Sequence, residues 1–248
     1  MTQKINTIID RPVTDLRHFT SVLNAEPQVQ HMWTAIREKT YRDPTDGLLR
    51  IPARKGDIPM AANDDAVEWG SRGRYEVPFF PNLGGSTGRY RATIPNLGNV
   101  VSVLLNGNVS QGATEAWSLR WPDGSFWWFQ PNRNGSRATA NNGSHWDFTA
   151  NPSPFDQWNF NAVVIDFAAG QIFHSLNNGD FDQGVSPSGG TISMPPAGDV
   201  TVWMGEGTPP QPFAEGRISD LAIVHGDVRT MPELMTAWNE YNQTAYPG

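Results

Sequence analysis

The chain has no cysteine, which excludes disulfides, thiolate metal sites and thiol nucleophiles. Lysine is absent after Lys55, and charged residues make up only 17% of the 248 positions. Beyond Arg74 there are 7 arginines against 15 Asp and Glu, within a net charge of -7. Such an acidic body lacks the cations that neutralise phosphates, so sequence-independent nucleic-acid binding is not expected, nor is a polybasic membrane patch. No apolar run is long enough to span a bilayer, and "MTQKINTIIDRPVTDLRHF" lacks the apolar centre of a signal peptide. We therefore expect no signal peptide, no transmembrane segment and synthesis in a cytoplasm. A Walker loop and the dinucleotide glycine pattern are missing as well.

Turn chemistry is abundant, with 24 Gly and 20 Pro. Asn-Gly occurs at 106, 134, 142 and 178, and Pro-Asp-Gly at 122–124. Asn and Gly tolerate the positive φ of tight hairpin turns. Between such signals lie eight strand-like runs: "RYRATI", "NVVSVLL", "AWSLRW", "SFWWFQ", "FNAVVIDF", "GQIFHSL", "DVTVWMG" and "RISDLAIV". That pattern predicts a two-sheet antiparallel sandwich over residues 75–248. "TMPELMTAWNEY" closes it with a short helix, read from a Thr230/Glu233 capping box, Pro232 in the first turn, and a stripe of Leu234, Ala237, Trp238 and Tyr241.

Residues 1–74 read differently. Leu16, Phe19, Val22 and Leu23 fall at helical spacing, as do Val29, Met32, Trp33 and Ile36, with Pro27 between the two sets. Two short helices are predicted, followed by an extended segment over 44–65. The segment is expected either to wrap the main domain or to dock on another subunit. Trp33, Leu48, Leu49 and Ile51 are the candidate assembly residues of the whole arm, residues 1–74.

The succession "QWNFNAVVIDFAAGQIFHSLNNG", "VTVWMGEG" and "PFAEGRISDLAIVHGDVRTMPELMTAWNEY" resembles the second half of a laminin-G-like, concanavalin A-like jelly roll. The resemblance implies an all-β jelly-roll sandwich binding carbohydrate or protein, with calcium common and glucanases as an enzymatic branch. The Glu-x-Asp-x-x-Glu strand motif of those glucanases, which sets two carboxylates about 5 Å apart, is absent, so no catalytic residue is expected. Calcium would find hard oxygen ligands at Asp180 and Asp182 in "NNGDFDQG", helped by Asp166 or Glu206.

The densest aromatic stretch is "WSLRWPDGSFWWFQPN", residues 117–132. Alternation puts Trp117, Leu119 and Trp121 on one face, the core. In the next strand Phe126 and Trp128 point one way, Trp127 and Phe129 the other. One pair must face away from the core, to a glycan, to the amino-terminal arm or to another subunit. Alternation alone leaves open which pair it is. The candidate glycan site is therefore Trp127 or Trp128 with Asn132, Arg133 and Asn134. The expectation is a non-enzymatic protein displaying a lectin-like sandwich. Its signal-less sandwich and arm resemble bacteriophage virion proteins, capsid decorations or tail-associated adhesins. That resemblance implies a homo-oligomer held to other virion subunits by the arm and facing surface polysaccharide. The alternatives are a free-standing carbohydrate-binding protein or a glucanase-type enzyme.

Overall fold

A computed structural model of the chain describes residues 13–63, 67–80, 89–109, 116–131, 135–140, 143–154, 157–193, 197–205 and 216–244. It opens with α1 (Val13–Ala25) and β1 (Val29–Thr34), followed by β2 (Tyr41–Arg42), β3 (Leu49–Ile51), β4 (Ala53–Lys55) and β5 (Met60–Ala62). Next come β6 (Glu68–Arg72), β7 (Tyr75–Phe80), β8 (Tyr90–Ile94), β9 (Val100–Val109), β10 (Trp117–Arg120), β11 (Phe126–Gln130), β12 (Ser136–Ala140) and β13 (His145–Phe148). The chain ends with β14 (Trp158–Asp166), β15 (Gln171–Leu176), β16 (Asp182–Gln183), β17 (Val200–Met204), β18 (Gly216–Val224) and α2 (Pro232–Thr244).

These strands form two antiparallel sheets. Sheet A runs β16-β15-β14-β9-β18-β1-β4, with the β6–β7 hairpin joined to β18 through β7. Sheet B runs β13-β12-β11-β10-β17-β8-β5-β3-β2. Their facing sides interdigitate around Trp117, Leu119, Phe129, Val163, Ile165 and Leu221, all buried. The other side of sheet A is equally apolar: Leu104, Phe160, Ala162, Val164 and Ala222 lie beneath Phe19 and Leu23 of α1 and Leu234 and Trp238 of α2. Because β14 is covered on both faces, "AVVID" reads as a continuous apolar run rather than an alternation. The result is three layers, helices on sheet A on sheet B, and both helices serve sheet A.

The sandwich expected from the hairpin signals is present, and the buried triplet Trp117, Leu119 and Trp121 is core. The predicted second helix is a strand. β1 lies between β18 and β4, and its pairing with β18 slips between Val29 and His31. This bulge inserts a residue, so Val29 and Met32 share the helix-facing side at a spacing of three while Trp33 turns into the opposite core. An interrupted strand thus imitates a helical stripe.

The arm is corrected too. Residues 29–62 supply strands to both sheets, and Trp33 and Ile51 are fully buried in the chain's own core, Trp33 donating its Nε1–H to the Ile58 carbonyl at 2.7 Å. Leu49 packs against the same core, and Leu48 is half-buried. A boundary at 74/75 falls inside the β6–β7 hairpin, where Arg72 pairs with Tyr75.

Two turn readings also change. Asn106-Gly107 is no hairpin, since β9 runs through it: Asn106 is buried, donating to Asp220 Oδ2 at 3.2 Å and accepting from Trp238 Nε1 at 2.9 Å. Thr230 sits in a 3-10 turn, its hydroxyl donating to the Asp227 carbonyl, so it does not cap α2. Pro232 does begin that helix, and Leu234, Ala237, Trp238 and Tyr241 are buried along it.

One buried ionic network ties α2 to sheet A. Asp220, fully enclosed, accepts from Thr34 Oγ1 at 2.9 Å, Tyr241 Oη at 3.1 Å and Ser219 Oγ at 2.7 Å, with Arg72 3.6 Å away. Arg72 in turn donates to the carbonyl and Oδ1 of Asn242 and to Ser219, and stacks over Trp158 at 4.0 Å. A carboxylate survives such burial only when its lone pairs are matched in this way.

Candidate functional site

The side of sheet B that faces away from the core is assembled by simple alternation. In β11, Trp127 and Phe129 point inward: Trp127 packs against Trp146 at 4.9 Å and Phe167 at 6.2 Å and is 4% exposed. Trp127 is therefore core and leaves the candidate site, while Phe126 and Trp128 form the outer pair, each half-buried. In β17, Val200, Val202 and Met204 are core and Thr201 and Trp203 face out. In β8, Tyr90, Ala92 and Ile94 are core, and Arg91 and Thr93 are exposed.

Register then aligns these outer residues in one row. Arg91 lies opposite Trp203, Trp203 opposite Ser118, Ser118 opposite Trp128, Trp128 opposite Thr139 and Thr139 opposite His145. In the other direction the row continues through Ala61 and Arg50 to Tyr41, 44% exposed. With strands about 4.8 Å apart, a row across nine strands extends roughly 38 Å. A serine between two tryptophans leaves a notch between their rings. Ser118 Oγ and Trp203 Nε1 are buried there with no hydrogen-bond partner among the described residues.

Trp203 is itself gripped by two guanidiniums from the flanking strands. Arg91 Cζ lies 5.3 Å and Arg120 Cζ 5.5 Å from its ring centroid, within cation–π range. Beside them opens a shallow cleft of about 360 Å³ lined by Asp43, Arg50, Ala61, Arg91, Thr93 and Thr201. Arg50 is held by Asp43 at 3.3 Å and Asp46 at 2.5 Å, and Arg137, farther along the face, by Asp147 at 2.6 Å. Hydrogen bonds from Thr45, with Arg50 beside them, hold the Asp43 carboxyl below the usual carboxylate range. Asp43 is thus an anion at neutral pH and a poor proton donor.

Of the expected glycan-site residues that are described, Trp128 stands on this face and Trp127 does not. Asn132, Arg133 and Asn134 lie outside the described residues, as does Glu206. Asp180 and Asp182 gather no third carboxylate or histidine among the described residues. Asp182 Oδ2 accepts from the Ala150 N–H at 2.8 Å, and Asp166 Oδ1 from the Ala169 N–H at 2.8 Å. Among the described residues no three His, Asp or Glu side chains converge. The turn there is built on Asn177 and Asn178, both at positive φ, one residue before the Asn-Gly pair.

Sequence reasoning missed Arg91, Arg120, Ser118 and Trp203. A signal existed: in "VTVWM" the tryptophan falls in phase with Thr201 and out of phase with the valines. β12 and β13, which follow the aromatic strand, extend the face.

No family model and no curated protein matches the sequence. Solved structures do. Trypanosoma rangeli sialidase, in complex with 2,3-difluorosialic acid, aligns over 93% of this chain and 39% of its own at 9% identity, TM-score 0.57. Domain 4 of the GH43 extracellular arabinanase from Geobacillus stearothermophilus, in complex with arabinotriose, aligns over 84% of this chain and 98% of that one at 15% identity, TM-score 0.51. The botulinum neurotoxin serotype D binding domain aligns over 88% and 53%, at 10% identity and TM-score 0.58. This chain spans well under half of the sialidase. At such identities the likeness establishes the β-sandwich fold. Among the described residues no helix is long and apolar enough to cross a membrane.

Proposed function

We propose that this chain is a saccharide-binding sandwich that acts without turnover, and that its ligand lies along the outer face of sheet B. The carrying observation is the row Arg91–Trp203–Ser118–Trp128, which sets a half-exposed indole beside hydrogen-bonding groups on the sheet opposite the helices. A tryptophan ring stacks on the C–H face of a pyranose, while Thr and Arg side chains satisfy its hydroxyls; flat stacking with a few placed polar groups is the usual economy of ligand sites. The ligand bound by the arabinanase domain, arabinotriose, supports the reading by analogy of fold.

Binding without hydrolysis is supported by the carboxylates of the face. Asp43 and Asp46 are both engaged by Arg50 and Asp147 by Arg137, so each carboxylate is held by an arginine rather than left free as an acid or a nucleophile. The finer part of the proposal is display in several copies on an assembly such as a virion surface, where multivalency raises weak affinity by about 10²–10⁴. Anchorage would have to come from outside β1–β5, which belong to the sandwich. Co-sedimentation with assembled particles tests display; a chain found only free sinks it.

The test of the face is Trp fluorescence titration against a panel of surface polysaccharides. Saturable quenching is expected in the native chain and its loss in Trp128→Ala, with the thermal midpoint retained. Silence across the panel, with self-association through the aromatic row in sedimentation, would replace the saccharide with a second subunit.

A further inference from the structure

Resting on that reading, we infer that the saccharide is acidic, carrying carboxylate or sulfate groups, and that Arg91 is the residue that recognises them. The charge distribution is the first support. Of the 7 arginines after Arg74, set against 15 acids, Arg91, Arg120 and Arg137 all project from the outer face of sheet B. Arg50 joins them from the earlier part of the chain. An acidic protein has thus concentrated its scarce cations where the aromatic row lies.

Pairing and exposure then single out one of them, since Arg120 is half-buried beside the same Trp203 ring. Arg50 is neutralised by Asp43 and Asp46, and Arg137 by Asp147. Arg91 is exposed, and its contact with the Trp203 ring is its interaction among the described residues. Stacking on an indole fixes the guanidinium plane and leaves the N–H edge open, so little side-chain freedom remains to be lost on binding. That edge borders the 360 Å³ cleft, where the Thr93 and Thr201 hydroxyls lie 3.4 Å apart and can reach sugar hydroxyls. A planar fork of donors fits carboxylate and sulfate bidentately.

The remainder of the cleft limits the ligand's charge. Asp43 and Asp46 stand on its far side, and the whole chain carries -7, so a densely charged polymer is repelled at longer range. Isolated acidic sugars within a mostly neutral chain match this arrangement best.

The experiment uses the full chain and matched pairs. Three polysaccharides whose uronates are spaced by neutral sugars, gellan, xanthan and hyaluronan, are each titrated beside their carboxyl-reduced forms, and a sparsely sulfated dextran beside dextran. The expected result is at least a tenfold preference for the acidic member of one or more pairs; the pair that shows it separates carboxylate from sulfate. In Arg91→Gln the acidic ligand should weaken roughly ten- to hundredfold, as for loss of a hydrogen bond to a charged group, while the neutral member is unchanged. Arg91→Lys should restore part of the loss, since it returns the charge without the fork. Equal affinities within every pair, or equal weakening of both members by Arg91→Gln, would overturn the inference. Binding to neutral glycans alone overturns it and leaves the aromatic row as a saccharide site. Binding to nothing in either panel overturns both.

Discussion

On the outer side of sheet A, Phe160, Ala162 and Val164 project at alternate or adjoining positions into a layer of helix, with Trp238 stacked on Phe160 at 6.0 Å and edge-on to Phe19 at 5.5 Å. On the outer side of sheet B, Trp128 and Trp203 project just as regularly, yet their neighbours are Ser118, Thr139, Arg91 and Arg120. The first face uses aromatics among aliphatics and gathers polar groups in a network around Asp220. The second mixes aromatics with cations and leaves Ser118 Oγ and Trp203 Nε1 unpaired. Tryptophan content alone therefore does not mark a binding face; the company of the rings does.

The bluntest way to break the contrast is to delete residues 1–74. This removes β1 from beside β18 and β2, β3 and β5 from the edge of sheet B, so no cooperative melting transition should survive. A soluble, cooperatively melting fragment would show the sheets to be independent of it. Next, the same substitution on the two faces should separate them. Trp238→Ala opens a cavity under α2 and is expected to cost about 3–5 kcal/mol in denaturant unfolding, whereas Trp128→Ala, half-exposed, should cost about 1 kcal/mol and fall on binding instead. Asp220→Ala leaves Arg72 buried without its counter-charge and should cost about 3–5 kcal/mol.

A smaller effect comes from between the faces. His174, on the core side of β15, is wedged 5.1 Å from Phe129 and 5.3 Å from Phe148, its Nε2 on Asn161 Oδ1 at 3.0 Å. Complete burial lowers its pKa to about 3. The unfolded chain then binds the extra proton first, so stability present above pH 6.5 should decline by about 1.4 kcal/mol per pH unit as pH falls toward 3. Burial lowers His31 and His225 in the same sense. In His174→Gln the slope of unfolding free energy against pH should flatten; an unchanged slope would remove this histidine from the account.

How much of this was legible follows from the period of each segment. The strands of the sandwich announce themselves because their apolar residues alternate between turns, and the carboxy-terminal helix because its stripe is uninterrupted. β1 was not legible: covered on both faces and bulged after Val29, it has no alternation to read. β2 to β5 are two or three residues long, too short to show a period. Half of the aromatic site was legible, since alternation paired Phe126 with Trp128 but could not say which side the core would take. Arg91, Ser118 and Trp203 become neighbours only through register between strands far apart in sequence, which no local pattern carries.

That register also fixes a timetable. Thr34 in β1 and Asp220 in β18 are hydrogen-bonded across 186 residues of chain. At about 5–20 residues per second on a ribosome, β1 waits roughly 10–40 s before its partner strand has been made. Until then β1 has no β18 to pair with, and its apolar side chains must remain exposed or be held elsewhere. Sheet A cannot be completed until β18 has been made, and pairing strands so far apart in sequence carries a loop-closure cost that slows folding.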